Sequence, residues 1–167
     1  LLSTAADSTK DALAQDKKEV ETFLNNVANS VVKDGSAYSA IKMAVPADYF
    51  KQTEDEFSAY TKTLDPSDEA YGMTFEQFID ALLSAQIKSI TNSVQSIKIS
   101  VADLSDCKSK LTADQKQMYA SCGDIAKAYI AKIKSDVTFK PGADTSGYNT
   151  DDLGKITVVN AGGNWYI

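Results

Sequence analysis

Apolar residues return every three or four positions along most of this chain, and only in its last thirty residues does the pattern shorten to brief alternating runs. That order predicts helices first and strands last. Leu13, Val20, Leu24, Val27 and Val31, with Phe23 beside them, share one face of a helix over about residues 4–33, which Asp34-Gly35 ends. A short helix is expected over 36–44. Pro46, tolerated in a first helical turn, opens another that carries Phe50, Phe57, Tyr60 and Leu64. The stretch "LDPSDEAYG" reads as a turn that Asp65 can cap.

The strongest periodicity comes next. Thr74 and Gln77 have the spacing of a capping box. Beyond them Ile79, Leu83, Ile87, Ile90, Val94, Ile97, Val101 and Leu104 step by three or four, which predicts one central helix of roughly 45 Å. A stripe of small residues (Ala85, Ser89, Ser93, Ser96, Ser100) lies beside it. Thr112 and Gln115 repeat the capping box and open a last long helix, with Met118, Cys122, Ile125, Tyr129 and Ile133 inward. After Ser135, "DVTFK" and "KITVV" are strand candidates, and "NAGG" is a turn before the terminal "NWYI".

The expected fold is therefore mainly α, a bundle of four to five helices over 1–135. Residues 136–167 form a C-terminal loop and β-hairpin packed on the bundle as a lid, within one domain overall. A two-stranded hairpin is marginal alone in water, so Phe139, Val158, Trp165 and Ile167 are expected to lie against the helices.

Composition narrows the chemistry. The chain has 167 residues, a net charge of −6 and no histidine, and all 17 of its cations are lysines. Without histidine, Ser-His and Cys-His catalysis and most metal sites are excluded. Without arginine or a basic cluster, nucleic acid is not an expected partner. No apolar run reaches the ~18 residues of a membrane span, so an integral membrane protein is not expected. The opening "LLSTAADSTK" reads as a mature chain after signal-peptide removal, or as a chain trimmed at its start. Cys107 and Cys122, fifteen residues apart, suit one disulfide in an oxidising compartment, with about 3 kcal/mol of stabilisation. Two buried free thiols in a cytosolic helix pair are the alternative. The first choice implies an extracellular, secreted protein, although no N-x-S/T sequon supports it.

Several motifs are set against plainer explanations. Three S-x-x-K matches (Ser30/Lys33, Ser39/Lys42, Ser105/Lys108) lack the companion motifs of Ser-Lys enzymes. The acidic groups at 54–56, Asp65/Asp68/Glu69 and Asp151-Asp152 read as solvated charge. The loop from Asp144 departs from a calcium loop at its sixth position, Asn149. Tyr38, Tyr49, Tyr60 and Tyr71 recur every eleven residues, a spacing that keeps one helical face aligned and resembles exchangeable lipid-surface helices. Pro66 and Gly72 interrupt it, and chance is the simpler explanation.

The small-residue stripe admits a close helix neighbour or a long narrow ligand. A ligand site would be walled by Phe78, Ile90, Ser93, Val94, Ile97 and Trp165. In its Ala/Ser/Lys-rich helices the chain is similar in style to secreted fungal helical proteins that bind hydrophobic surfaces or fatty acids, with no motif carrying the likeness. The expected function is thus non-enzymatic binding of an apolar ligand (lipid or fatty acid) or hydrophobic surface, without metal or cofactor. The alternative is an extracellular interaction protein, such as an effector, surface antigen, allergen or adhesin, with a solid core and an acidic exterior.

Overall fold

Gly35, at φ +63°, ends the first helix by donating its N–H to Val31 O at 3.0 Å, a left-handed stop that suits glycine. This helix, α1, spans Leu2–Asp34. Ser36 caps α2 (Ala37–Ala44), and Pro46 precedes α3 (Ala47–Thr61). The Thr74/Gln77 capping box is formed and opens α4 (Phe75–Leu82). The computed structural model describes residues 2–148 and 154–167 of the chain.

Beyond Leu82 the structure departs from the expected bundle. The predicted central helix breaks at Leu83, resumes as α5 (Ser84–Ser93) and turns at Val94 into a long strand, β1 (Val94–Asp106). The Thr112/Gln115 capping box forms as well, but its helix, α6 (Ala113–Met118), is short. Later in the chain come the strands β2 (Ile125–Phe139), β3 (Gly154–Ala161) and β4 (Asn164–Tyr166). The four strands pair antiparallel in chain order as a curled sheet. The mainly-α, helical-bundle expectation is therefore corrected: helix and sheet share the fold.

The reason lies in two periods that overlap. Val94, Ile97, Val101 and Leu104 fit helical steps, while Ile97, Ile99 and Val101 alternate as a strand, and β-branched residues favour the pleated surface. Pairing settles the choice. Val101 lies opposite Ile133 and Leu104 opposite Ala131, and a bulge between Val101 and Asp103 keeps both β1 residues on one face. In β2, Lys127, Tyr129, Ala131 and Ile133 alternate toward α1.

The C-terminal hairpin exists, but as the outer half of this sheet. Gly162 and Gly163, at φ +57° and +85°, make its two-residue turn. A Cβ on Gly162 would stand 2.0 Å from Cys122 O, so the turn is pressed onto the loop before β2. Past β4, Ile167 N–H donates to Ala44 O at 2.8 Å, which ties the strand to α2.

One face of the sheet is covered along its length and the other only at one end, leaving Ile130, Lys132 and Lys134 exposed. On one, Val20 and Leu24 of α1 meet Val101, Leu104, Ala131, Val158 and Trp165. On the other, Cys107, Leu111 and Tyr119 from the β1–β2 connection cover Ala128, Val159 and Ala161. Both cysteines belong to this second cluster as free thiols, Cys107 buried and Cys122 half-buried. The expected disulfide is thus corrected. Its geometry assumed Cys122 deep in a helix, whereas that helix ends at Met118 and Cys122 closes a 3₁₀ turn. Burial pushes the Cys107 thiol up, and burial first, then the neighbouring Cys122, push the Tyr166 hydroxyl up. The oxidising compartment inferred from the disulfide loses that support.

Candidate functional site

The polar side chains of α1 fall into two groups that spacing alone did not separate. Lys17, Glu21, Asn25 and Asn29 recur every four residues and face the free edge of β1. Asn25 exchanges two bonds with Ile99, Nδ2 donating to its carbonyl at 2.8 Å and Oδ1 accepting its N–H at 2.7 Å. Asn29 repeats the pattern on Ile97 at 2.7 and 3.0 Å. Glu21 accepts Val101 N–H at 2.7 Å, and Lys17 donates to Ala102 O at 3.1 Å. One face of a helix thus stands in for a missing strand and closes an edge that would otherwise invite pairing.

The second group ties α1 to the sheet through a buried carboxylate, Asp16, and an exposed one, Glu19. Asp16 accepts from Lys127 Nζ at 2.6 Å and from the Tyr129 hydroxyl at 2.7 Å, with its side chain 4% exposed. Burial, and then the bond to Asp16, push the Tyr129 hydroxyl well above its ordinary value. Glu19 accepts from Trp165 Nε1 at 3.0 Å, and bonds from Gln15 and Trp165 hold its carboxyl below the usual range. Trp165 stacks on Tyr129 with ring centroids 6.1 Å apart. These groups satisfy one another and fasten α1 to the sheet. Asp16 gave one signal in the sequence: it lies on the same helical face as Leu13 and Val20.

The six residues expected around a ligand sit on four elements. Phe78 belongs to α4 and packs on Phe57, ring centroids 4.9 Å apart. Ile90 and Ser93 are half-buried on α5, Val94 and Ile97 lie on β1, and Trp165 lies in the main core. Val94 lines one open groove and Trp165 another. Those grooves, about 620 and 600 Å3, adjoin at Asn26 and Met43 and form a trough along α1. The small-residue stripe is split between α5 and β1, where Ser89 Oγ lies 3.2 Å from the Tyr148 hydroxyl. Of the loop compared with a calcium site, Asn149–Asp152 lie outside the described residues; Asp144 accepts Ser146 N–H at 2.9 Å.

A third region forms around α3. Its inner face packs Phe50 and Phe57 against Phe75, with Tyr38 and Phe78 completing a ring cluster. The Tyr38 hydroxyl donates to Glu54, and that bond pushes its pKa up to about 12. The outer face presents Tyr49, Gln52, Glu56 and Tyr60. Tyr49 and Tyr60 are 44% and 61% exposed, and Tyr71 in the following turn is 47% exposed. Tyr49 and Tyr60 share a line of α3, Tyr38 points inward, and Tyr71 lies off the helix. From Asp48 to Glu76 the chain holds eight carboxylates and two lysines, a net −6; the remainder carries fifteen of each sign and is neutral. All of the net charge therefore resides in 29 residues.

Beside the start of α3 lies an open groove of about 560 Å3 against α6, lined by Asp48, Tyr49, Gln52, Asp114, Gln117 and Met118, among others, with no lysine. Among the described residues no helix is long and apolar enough to cross a membrane. No protein-family model, curated protein or solved structure matches the chain.

Proposed function

We propose that this is a non-enzymatic interaction protein with a solid core, which works through the acidic, tyrosine-bearing surface around α3. The observation that carries this reading is the confinement of the whole net charge to residues 48–76, where three large aromatic side chains also stand exposed. Tyrosines that contribute nothing to the core are well suited to anchor a partner, because they bring large contact area with few rotatable bonds. A photo-crosslinking side chain at position 60 should capture a partner from the protein's natural source. The same group at Lys134, on the electrically neutral remainder, should not. Equal capture at both positions, or none at 60, refutes the reading.

One observation favours a carrier as the second reading. The trough along α1 carries Phe23, Val94, Trp165 and the half-exposed Met43 among polar side chains, an apolar strip that suits an elongated amphipathic molecule. Native mass spectrometry after incubation with oleate, together with Trp165 emission, tests it. A bound oleate with shifted emission supports the carrier; unchanged mass and emission leave the interaction protein alone.

A further inference from the structure

We infer that the outer face of α3, with the groove between α3 and α6, docks an arginine- or lysine-rich segment of a partner protein. The inference rests on the interaction reading and specifies its partner. Tyr49 and Tyr60 lie on one line of the helix, about 16 Å apart along its axis, with Glu56 between them. Two phenol rings at that separation offer two faces for cationic side chains, and guanidinium stacks on such rings better than ammonium does. Glu56 lies one turn from Tyr60 and Asp48 adjoins Tyr49 in the groove, so a cation on either ring has a carboxylate nearby.

The groove makes a second, separate observation. It begins where the tyrosine line begins, since Asp48, Tyr49 and Gln52 form its near wall and Asp114 and Gln117 its far wall. Its charged lining is wholly negative, and glutamine carbonyls add acceptors. An arginine anchored there would keep its stem against Met118 and its head among carboxylates, while the flanking segment runs along α3 toward Tyr60.

Charge decides between occupants. Nucleic acid and anionic membranes are repelled by a segment of net −6. A second copy of this chain offers no arginine but does offer lysines, six against two carboxylates over 108–134, so self-association through α3 seen by sedimentation of the chain alone would overturn the inference. A basic protein segment is the occupant that complements both the rings and the carboxylates.

The test uses the full chain and a short peptide of alternating arginine and serine, with a glutamate-serine peptide as control. Binding is followed by calorimetry and mapped by amide resonances. The expected result is a complex whose shifts cluster on α3 and α6, which weakens as salt is raised and is absent with the control peptide. The double variant Tyr49→Ala/Tyr60→Ala leaves every charge in place and should weaken binding about tenfold. Asp11→Asn/Asp103→Asn, which removes two exposed carboxylates elsewhere, should change it less than about twofold. No binding, or binding indifferent to the tyrosines and equally sensitive to any carboxylate, overturns the inference. A partner crosslinked at position 60 whose contact segment has no excess of arginine or lysine also overturns it, while leaving the interaction reading intact.

Discussion

Helices α1 and α3 are both rich in polar residues, yet they spend them in opposite directions. In α1 the inward side carries Asp16, Asn25 and Asn29, and each satisfies a named group of the sheet. In α3 the inward side is aromatic, and the polar residues with two tyrosines face water. The difference separates structure from surface. A polar group that completes a strand edge or a buried pair is costly to remove, because its partner remains buried and unsatisfied. An exposed ring or carboxylate contributes little to folding and is free to serve a partner.

That contrast can be broken most severely at the hairpin. Trp165→Ala removes the largest side chain of the main core and leaves Glu19 without its indole donor. A loss of about 3–5 kcal/mol in urea unfolding is expected, a large share of the roughly 5–15 kcal/mol available to a small domain. Asp16→Ala comes next. It strands a half-buried hydroxyl and a half-exposed ammonium, so a loss of about 2 kcal/mol is expected, less than for a fully buried pair because Lys127 reaches solvent.

Asn25→Ala uncovers both backbone groups of Ile99 and should cost about 1–2 kcal/mol. Asn25→Asp accepts the N–H but cannot donate to the carbonyl, so it should not restore the loss. Tyr60→Ala, at the other pole of the comparison, should change stability by less than about 0.5 kcal/mol. A loss comparable to that of Asn25→Ala would place Tyr60 in the fold and remove it from the proposed surface.

Titration sharpens the same contrast without mutation. Burial pushes the Tyr119 hydroxyl up to about 12, and the Glu54 bond does the same for Tyr38. Each raised value means that the folded state holds a proton which the unfolded chain releases near pH 10. Their contribution is therefore intact below pH 10 and lost as pH rises from about 10 toward 12. Absorbance at the tyrosinate band should show these residues ionising late, together with unfolding. Glu19 has the opposite sign: its lowered pKa adds stability above about pH 4, which is lost as pH falls through the folded value. Between these limits no histidine titrates, and the melting temperature should be nearly flat from pH 5.5 to 7.5.

Much of the local structure was legible in the residues. Both capping boxes, the Gly35 stop and the NAGG turn are decided within four or five residues by groups that bond one another. The stretches 94–106 and 125–135 were not legible, because their apolar residues satisfy a helical and a strand period together, whereas DVTFK was read as a strand and supplies the end of β2. Of the α3 surface, the eleven-residue tyrosine spacing was visible, but which tyrosines face outward depends on where Phe50 and Phe57 find their neighbours. Of the acidic groups read as solvated charge, Asp55, Glu56, Asp65, Asp68 and Glu69 are exposed, Glu54 is half-buried and accepts from Tyr38, and Asp151-Asp152 lie outside the described residues. The concentration of carboxylates in one segment was countable all along, and it acquires meaning only beside exposed rings and a groove.

By itself, then, the sequence determined the charge it carries, the chemistry it lacks and the points where helices start and stop. These depend on side-chain type and on neighbours a few residues away. Tertiary structure alone decided that Val94 begins a strand, that Cys107 and Cys122 stay thiols in one apolar cluster, and that Asn25 and Asn29 serve as a strand edge. Each of those outcomes rests on a partner about twenty to seventy-five residues distant or on a shared core, and a backbone hydrogen bond or a buried contact is worth forming only where that partner arrives.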